Sequence, residues 1–285
     1  MQVLQKYYCL FVGTIVFFVV FLMHQHCKRD ESLREQLEND DIGSKKNYDG
    51  LDEYDKKLMN HAKNILIKPN GHYVPYVLGN PNGIDYSQEG TAIFIHSLMK
   101  NKTNGYFVEC GAYDGETYSN TLGLEKNFNW TGLLIEGAPK NIDVMLKKKR
   151  RAWIAPTCLS TKRKSMTVTF NDNINGGKIV DAVNGSIPQS KEGVNVDVFC
   201  VPFNTYMKVL DIKHIDYFSL DVEGHEYEIL QTIDFKKVKI DVMVVEHFLA
   251  GNKSDGILRI MKENGFSLVK KMKLDFIFVH NGTSQ

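Results

Sequence analysis

The chain has 285 residues, enough for one large domain or two small ones, with the composition of an ordinary globular protein. Its formal net charge of +1 leaves no basic surplus, which argues against nucleic acid as a partner. Five cysteines without a CxxC or Cys/His spacing give no zinc signature; Asp221, Glu223, Glu246 and His247 resemble an oxygen and imidazole ligand set but follow no ligand spacing rule, and no metal is expected.

Residues 1–6 form a short N-terminal tail. Tyr7–Met23 carries no charge and is rich in Phe and Val, at the short end of what spans a bilayer. His24–Arg29 offers no small-residue cleavage site, so the expectation is an uncleaved signal anchor over 7–23. Lys28 and Arg29 beyond it lean toward a cytosolic body under the positive-inside rule. Five Asn-x-Ser/Thr sequons, at Asn101, Asn129, Asn184, Asn252 and Asn281, favour a luminal body; composition alone gives roughly two. Residues 24–50 are charged and poor in apolar side chains, and read as a solvated stalk ahead of a folded domain over 51–285.

Leu51, Tyr54, Leu58, Ala62, Ile65 and Leu66 recur at helix spacing, predicting a helix over 51–67. Residues 70–83 hold three glycines and two prolines and read as loop. A helix over 87–99 follows, with Ser87 as N-cap. From Tyr106 the pattern alternates. Strands are expected over 106–110, 132–136, 153–156, 216–221 and 240–246, and helices over 116–127, 140–149, 204–211, 225–233 and 255–264. Segments 165–170 and 196–203 read as an antiparallel pair, and 267–272 with 275–279 as a closing hairpin. Strands alternating with helices imply a mostly parallel sheet covered on both faces.

In such a sheet ligands bind beyond the carboxyl ends of the strands. Acids stand at four of those ends: Glu109, Glu136, Asp221 with Glu223, and Glu246 next to His247. Tyr106-Phe-Val-Glu-Cys-Gly-Ala-Tyr-Asp-Gly-Glu116 reads as strand, tight turn and helix start, with Gly111 and Gly115 letting the backbone approach a ligand. Glu136, 25 residues after Gly111, is placed to accept hydrogen bonds from ribose hydroxyls; the structural alternative is an N-cap acid ahead of Pro139. Asp221, Glu223 and His225 are the candidates to orient or deprotonate a substrate hydroxyl. Glu226 reads as a dipole-stabilising residue of the next helix. The run Lys147–Arg151 reads as a solvated helix end, and Trp130 and Trp153 as core aromatics. Cys9 and Cys27 lie in and just beyond the anchor, and Cys110 reads as a packed core residue. In a luminal body Cys158 and Cys200 are the best disulfide pair; in a cytosolic one they are free thiols.

Together Phe107–Thr117, Trp130–Glu136, Ala155–Ser160 and Ile215–Glu226 resemble the FkbM-type methyltransferase family, closest to its Star-like branch of single-pass membrane proteins. The likeness runs from about Tyr86 to Val279, and the Asp-Tyr-Phe-Ser-Leu-Asp-Val-Glu-Gly segment is its most specific part. It implies a Rossmann-like class I S-adenosylmethionine (SAM) methyltransferase fold, a mostly parallel sheet with a terminal antiparallel hairpin. It implies SAM as cofactor, bound by Glu109, Gly111, Tyr113, Gly115, Glu136 and Asp221, and methyl transfer to a hydroxyl, on a glycan or glycoprotein. Tyr113 stands where FkbM enzymes carry Asn. The Star-like resemblance implies a type II protein of endoplasmic reticulum, Golgi or endosomal membranes. Its alternative role is non-catalytic, assisting transport of membrane-tethered EGF-type growth-factor precursors.

Overall fold

The computed structural model describes residues 46–172, 178–179 and 194–283. The expected anchor at 7–23, most of the stalk, Cys9, Cys27, Asn184 and the loop around Gly176 and Gly177 lie outside the described residues. Among the described residues no helix is long and apolar enough to cross a membrane. The folded unit is Tyr48–Gln285.

Its centre is a seven-stranded sheet. Five strands are parallel: β1 (Tyr106–Cys110), β2 (Thr131–Ile135), β3 (Trp153–Ala155), β8 (His214–Leu220) and β9 (Lys239–Glu246). The hairpin of β10 (Phe266–Lys271) and β11 (Asp275–His280) closes one edge, β11 pairing antiparallel with β9. The order is β10-β11-β9-β8-β1-β2-β3. From β1 the chain winds outward through β2 and β3, then returns to β8 on the other side and winds outward again. The switch point therefore lies between β1 and its neighbours, where an open α/β sheet leaves a crevice. The central strands are almost continuously apolar because helices cover both faces.

A second, four-stranded sheet has the order β4-β7-β5-β6. It holds β4 (Cys158–Leu159), β5 (Met166–Asp172), β6 (Lys178–Ile179) and β7 (Val194–Val201). The expected antiparallel pair is β5 with β7. Cys158 and Cys200 stand opposite each other on β4 and β7, with Cα atoms 4.4 Å apart, and form a disulfide.

The seven α-helices are α1 (Lys56–Ile65), α2 (Thr91–Leu98), α3 (Leu122–Phe128), α4 (Pro139–Lys147), α5 (Phe203–Val209), α6 (Glu226–Thr232) and α7 (Ser254–Glu263), counted among the described residues. Three start several residues later than expected: α2 opens at Thr91 because Glu89 and Gly90 have positive φ, and the other two are set by side-chain acceptors. Helix α1 opens at Lys56 because the Asp55 carboxylate accepts from the Lys57 and Leu58 amides, while Asp52 is bridged to Lys164. The expected helix over 116–127 begins only at Leu122. Asp114 captures the amides of Glu116 and Thr117 at 2.8 and 2.6 Å, Glu109 captures that of Asn120 at 2.6 Å, and Tyr118 has φ +60°. Side-chain acceptors thus compete with the helix for the same donors.

Candidate active site

A cavity of about 590 Å³ lies at the carboxyl ends of β1, β2 and β8, within the range that holds a small molecule. Its wall includes Glu109, Gly111, Tyr113, Glu136, Asp221, Glu223 and His225. Gly115 is absent from that wall, and so are Glu246 and His247.

The loop after β1 is built differently from the expectation. Gly111 has φ +80°, and a Cβ there would stand 1.7 Å from the carbonyl oxygen of Asp221. Glycine is required because the ends of β1 and β8 touch, whatever the ligand. Gly115, with φ +78°, faces the Met145 side chain on α4, where a Cβ would come within 2.7 Å of Cγ. Its role is packing. The loop amides are also committed. Gly111 and Ala112 donate to the Ile135 carbonyl at 3.0 and 3.2 Å, Tyr113 to Glu136 Oε2 at 2.8 Å, and Gly115 to the Ala112 carbonyl at 2.9 Å. These four amides are therefore not free to bind a ligand.

Tyr113 sits at φ +50°, a left-handed conformation that Asn tolerates and an aromatic residue rarely adopts. Glu136 is 6% exposed. Besides the Tyr113 amide it accepts from the Ala138 amide at 2.8 Å; the N-cap of α4 is Ala138 itself, without a side-chain cap, so Glu136 holds the approach to the helix and lines the cavity without being its N-cap. Burial raises its carboxyl to about 7 against the pull of these hydrogen bonds. Oε1 accepts a second bond, from Asn141 Nδ2 at 3.5 Å, so the acceptor capacity that remains is on Oε2. Glu109 is occupied: it accepts from Ser119 Oγ at 2.9 Å, from the Asn120 amide and from Thr121 Oγ1, and so fastens the loop that follows.

The buried Arg150 supports this loop from behind, and here the reading of 147–151 as a solvated helix end is corrected. Its guanidinium is fully buried, pairs with the equally buried Glu125 at 3.0 Å, and donates to the Gly115 carbonyl and to Thr121 Oγ1. The charge run concealed it because four of its five members are not buried. Trp130 is a core residue as expected, at 1% exposure; Trp153 is half-buried.

On the other side of the crevice the turn after β8 carries Glu223 at φ +59° and Gly224 at φ +101°. Glu226 holds this turn, accepting the amides of Val222 and Gly224 at 2.8 and 3.1 Å. The carboxylates of Asp221, half-buried, and Glu246, buried, lie within 4.8 Å of each other. Desolvation, then the neighbouring carboxylates, push both carboxyls far above the usual range. Asp275, opposite Glu246 on β11, is raised to about 6, mainly by burial. His225 faces the cavity with a buried Nδ1 that has no partner. His247 turns away and stacks on Phe276 with centroids 4.0 Å apart.

Residues 109–268, which carry the loop, Glu136 and the Asp221–Glu246 pair, match the family model of the methyltransferase FkbM domain. The chain belongs to this family. SAM is the methyl donor of such a domain, and the residues present suit it: a cavity of the right size, with a carboxylate that retains acceptor capacity after β2. The FkbM methyltransferase of Methylobacillus flagellatus KT aligns with the chain at 13% identity and a TM-score of 0.37. That alignment covers 61% of this chain and 43% of the other. Aeropyrum pernix fibrillarin, solved with natively bound SAM, aligns at 10% identity over 66% of this chain and 75% of its own, with a TM-score of 0.37. M. capricolum TrmK, solved with S-adenosylhomocysteine, aligns at 10% identity over 65% and 66%, with a TM-score of 0.31. No curated protein sequence matches the chain.

Proposed function

We propose that the FkbM domain transfers the methyl group of SAM to a hydroxyl, on a glycan or glycoprotein of the secretory pathway. The observation that carries this reading is that Glu136 and the pair Asp221 and Glu223 share one cavity wall at the switch point. SAM, when bound, supplies a methyl group on an activated leaving group. The chain's own residues then bind and orient. Glu136 accepts hydrogen bonds from the ribose hydroxyls. Asp221, in its ionised form, would accept the hydrogen of an acceptor hydroxyl, orient that oxygen and hold its proton. Holding the reacting atoms in line can supply roughly 7–11 kcal/mol of the barrier. A type II arrangement with a luminal body in endoplasmic reticulum, Golgi or endosomal membranes fits the sequons and the Cys158–Cys200 bond, since disulfides persist in oxidising compartments.

Calorimetry of the full chain with SAM tests the reading. Wild-type binding is expected, with Glu136→Ala weaker by about 1–3 kcal/mol, the cost of lost hydrogen bonds to a charged acceptor. Asp221→Asn should abolish methyl transfer to a glycan acceptor and spare SAM affinity. The second reading is a Star-like transport factor that keeps the fold and binds membrane-tethered EGF-type precursors without catalysis. Tyr113 favours it, because an aromatic ring on the cavity wall narrows the space a nucleoside needs. Absence of SAM binding at millimolar ligand, with the protein folded, would leave that reading standing.

A further inference from the structure

We propose that Asp221, Glu226 and Glu246 bind one hard divalent cation at the inner edge of the cavity. The three come from separate places in the chain and meet where β8 and β9 run side by side. Asp221 follows β8, Glu246 ends β9 and Glu226 opens α6. Each contributes a carboxylate oxygen, and these oxygens all lie within 4.8 Å of one another.

Two further observations point to a missing ligand. Glu226 is completely buried and Glu246 is 7% exposed, yet Oε2 of each has no hydrogen-bond partner. Buried carboxylate oxygens are rarely left in that state, because desolvation without a partner is costly. Glu226 is also held in place for the task. Its Oε1 is fixed by the Val222 and Gly224 amides, which sets the orientation of the other oxygen. Among the described residues no Lys, Arg or His forms an ion pair with any of the three.

The only other cluster of this kind among the described residues makes the contrast. His214, Asp216 and Asp241, at the opposite ends of the same strands, are neutralised by Lys102 on Asp216 and by Lys239 on Asp241 at 2.9 Å. That cluster has its counter-charges built in, and the Asp221 cluster lacks them.

An all-carboxylate donor set selects Mg²⁺, Mn²⁺ or Ca²⁺ over softer ions. Oxygens on opposite sides of such an ion stand roughly 4–5 Å apart, so the spacing needs no rearrangement. Asp221 also lines the cavity, so coordination positions left by the three carboxylates open toward it. There an acceptor hydroxyl can become a ligand of the ion; this role, unlike the binding itself, rests on the methyltransferase reading.

The test is a Mn²⁺ titration of the full-length protein in detergent micelles, followed by electron paramagnetic resonance. The expected result is one Mn²⁺ per chain, displaced by Mg²⁺, with affinity at least tenfold lower in Glu226→Gln and Glu246→Gln. Glu263→Gln, an exposed acid on α7, should bind as wild type does. Thermal melts guard against misfolded variants: Mn²⁺ should raise the wild-type Tm and leave that of Glu246→Gln unmoved. No binding by wild type at millimolar Mn²⁺, or equal binding by the Gln variants, overturns the proposal. Because the readout is the ion, failure here leaves methyl transfer to be judged by its own assay.

Discussion

Glu136 shows how one residue can join fold and ligand. Its carboxyl is raised to about 7 by burial, so the folded protein holds a proton there that the unfolded chain has released above about pH 4.5. The stabilisation is fully present below that pH and is lost as pH rises through 7, by up to about 1.4 kcal/mol per unit. Glu136→Gln should remove this component, so the stability difference between variant and wild type should change between pH 5 and pH 8 in denaturant melts. A constant difference would refute the assignment. Arg150 offers a second test at this scale. Arg150→Met leaves Glu125 buried without its partner and frees the Gly115 carbonyl. A loss of about 3–5 kcal/mol in unfolding free energy is expected, and a loss under 1 would contradict the buried ion pair.

At the scale of elements, what the sequence shows and what it hides follow a physical division. The buried strands are long apolar runs bounded by turns, and β1, β2, β8 and β9 lie where that pattern puts them, with acids at their carboxyl ends. The segment 116–121 reads as helix in the sequence, but Asp114, from the turn just before it, and Glu109, from the end of β1, capture its amides instead. Arg150 was illegible for a related reason: burial of one cation within a run leaves no periodic trace. Gly111 was visible, but its cause was not, since contact with Asp221 joins residues 110 positions apart. That contact predicts that Gly111→Ala costs well over about 1 kcal/mol, from the left-handed φ alone, with the clash added. An unchanged Tm would show that the two strand ends can separate.

For the whole molecule, both sheets contribute to the cavity. The large sheet supplies the crevice, and the small one adds Cys158, Leu159 and Phe170 to its wall and carries the disulfide that fixes β4 against β7. With the two cysteines 42 positions apart, the bond should contribute about 3–4 kcal/mol by restricting the unfolded chain. The double variant Cys158→Ser with Cys200→Ser should melt at correspondingly lower denaturant, and reduction of wild type should reproduce it. Equal midpoints would mean that the bond adds nothing.

The glycine loop is already fastened on its inner side, by the Ile135 carbonyl and by Glu136, with Arg150 behind it. Ligand arrival then resembles docking onto a finished surface more than the ordering of a flexible one, and little conformational entropy is left to lose. Hydrogen–deuterium exchange should reveal this: the amides of residues 111–113 should exchange slowly in the free protein and change little when SAM is added. Fast exchange in the free state that slows sharply on binding would mean that the loop assembles around its ligand.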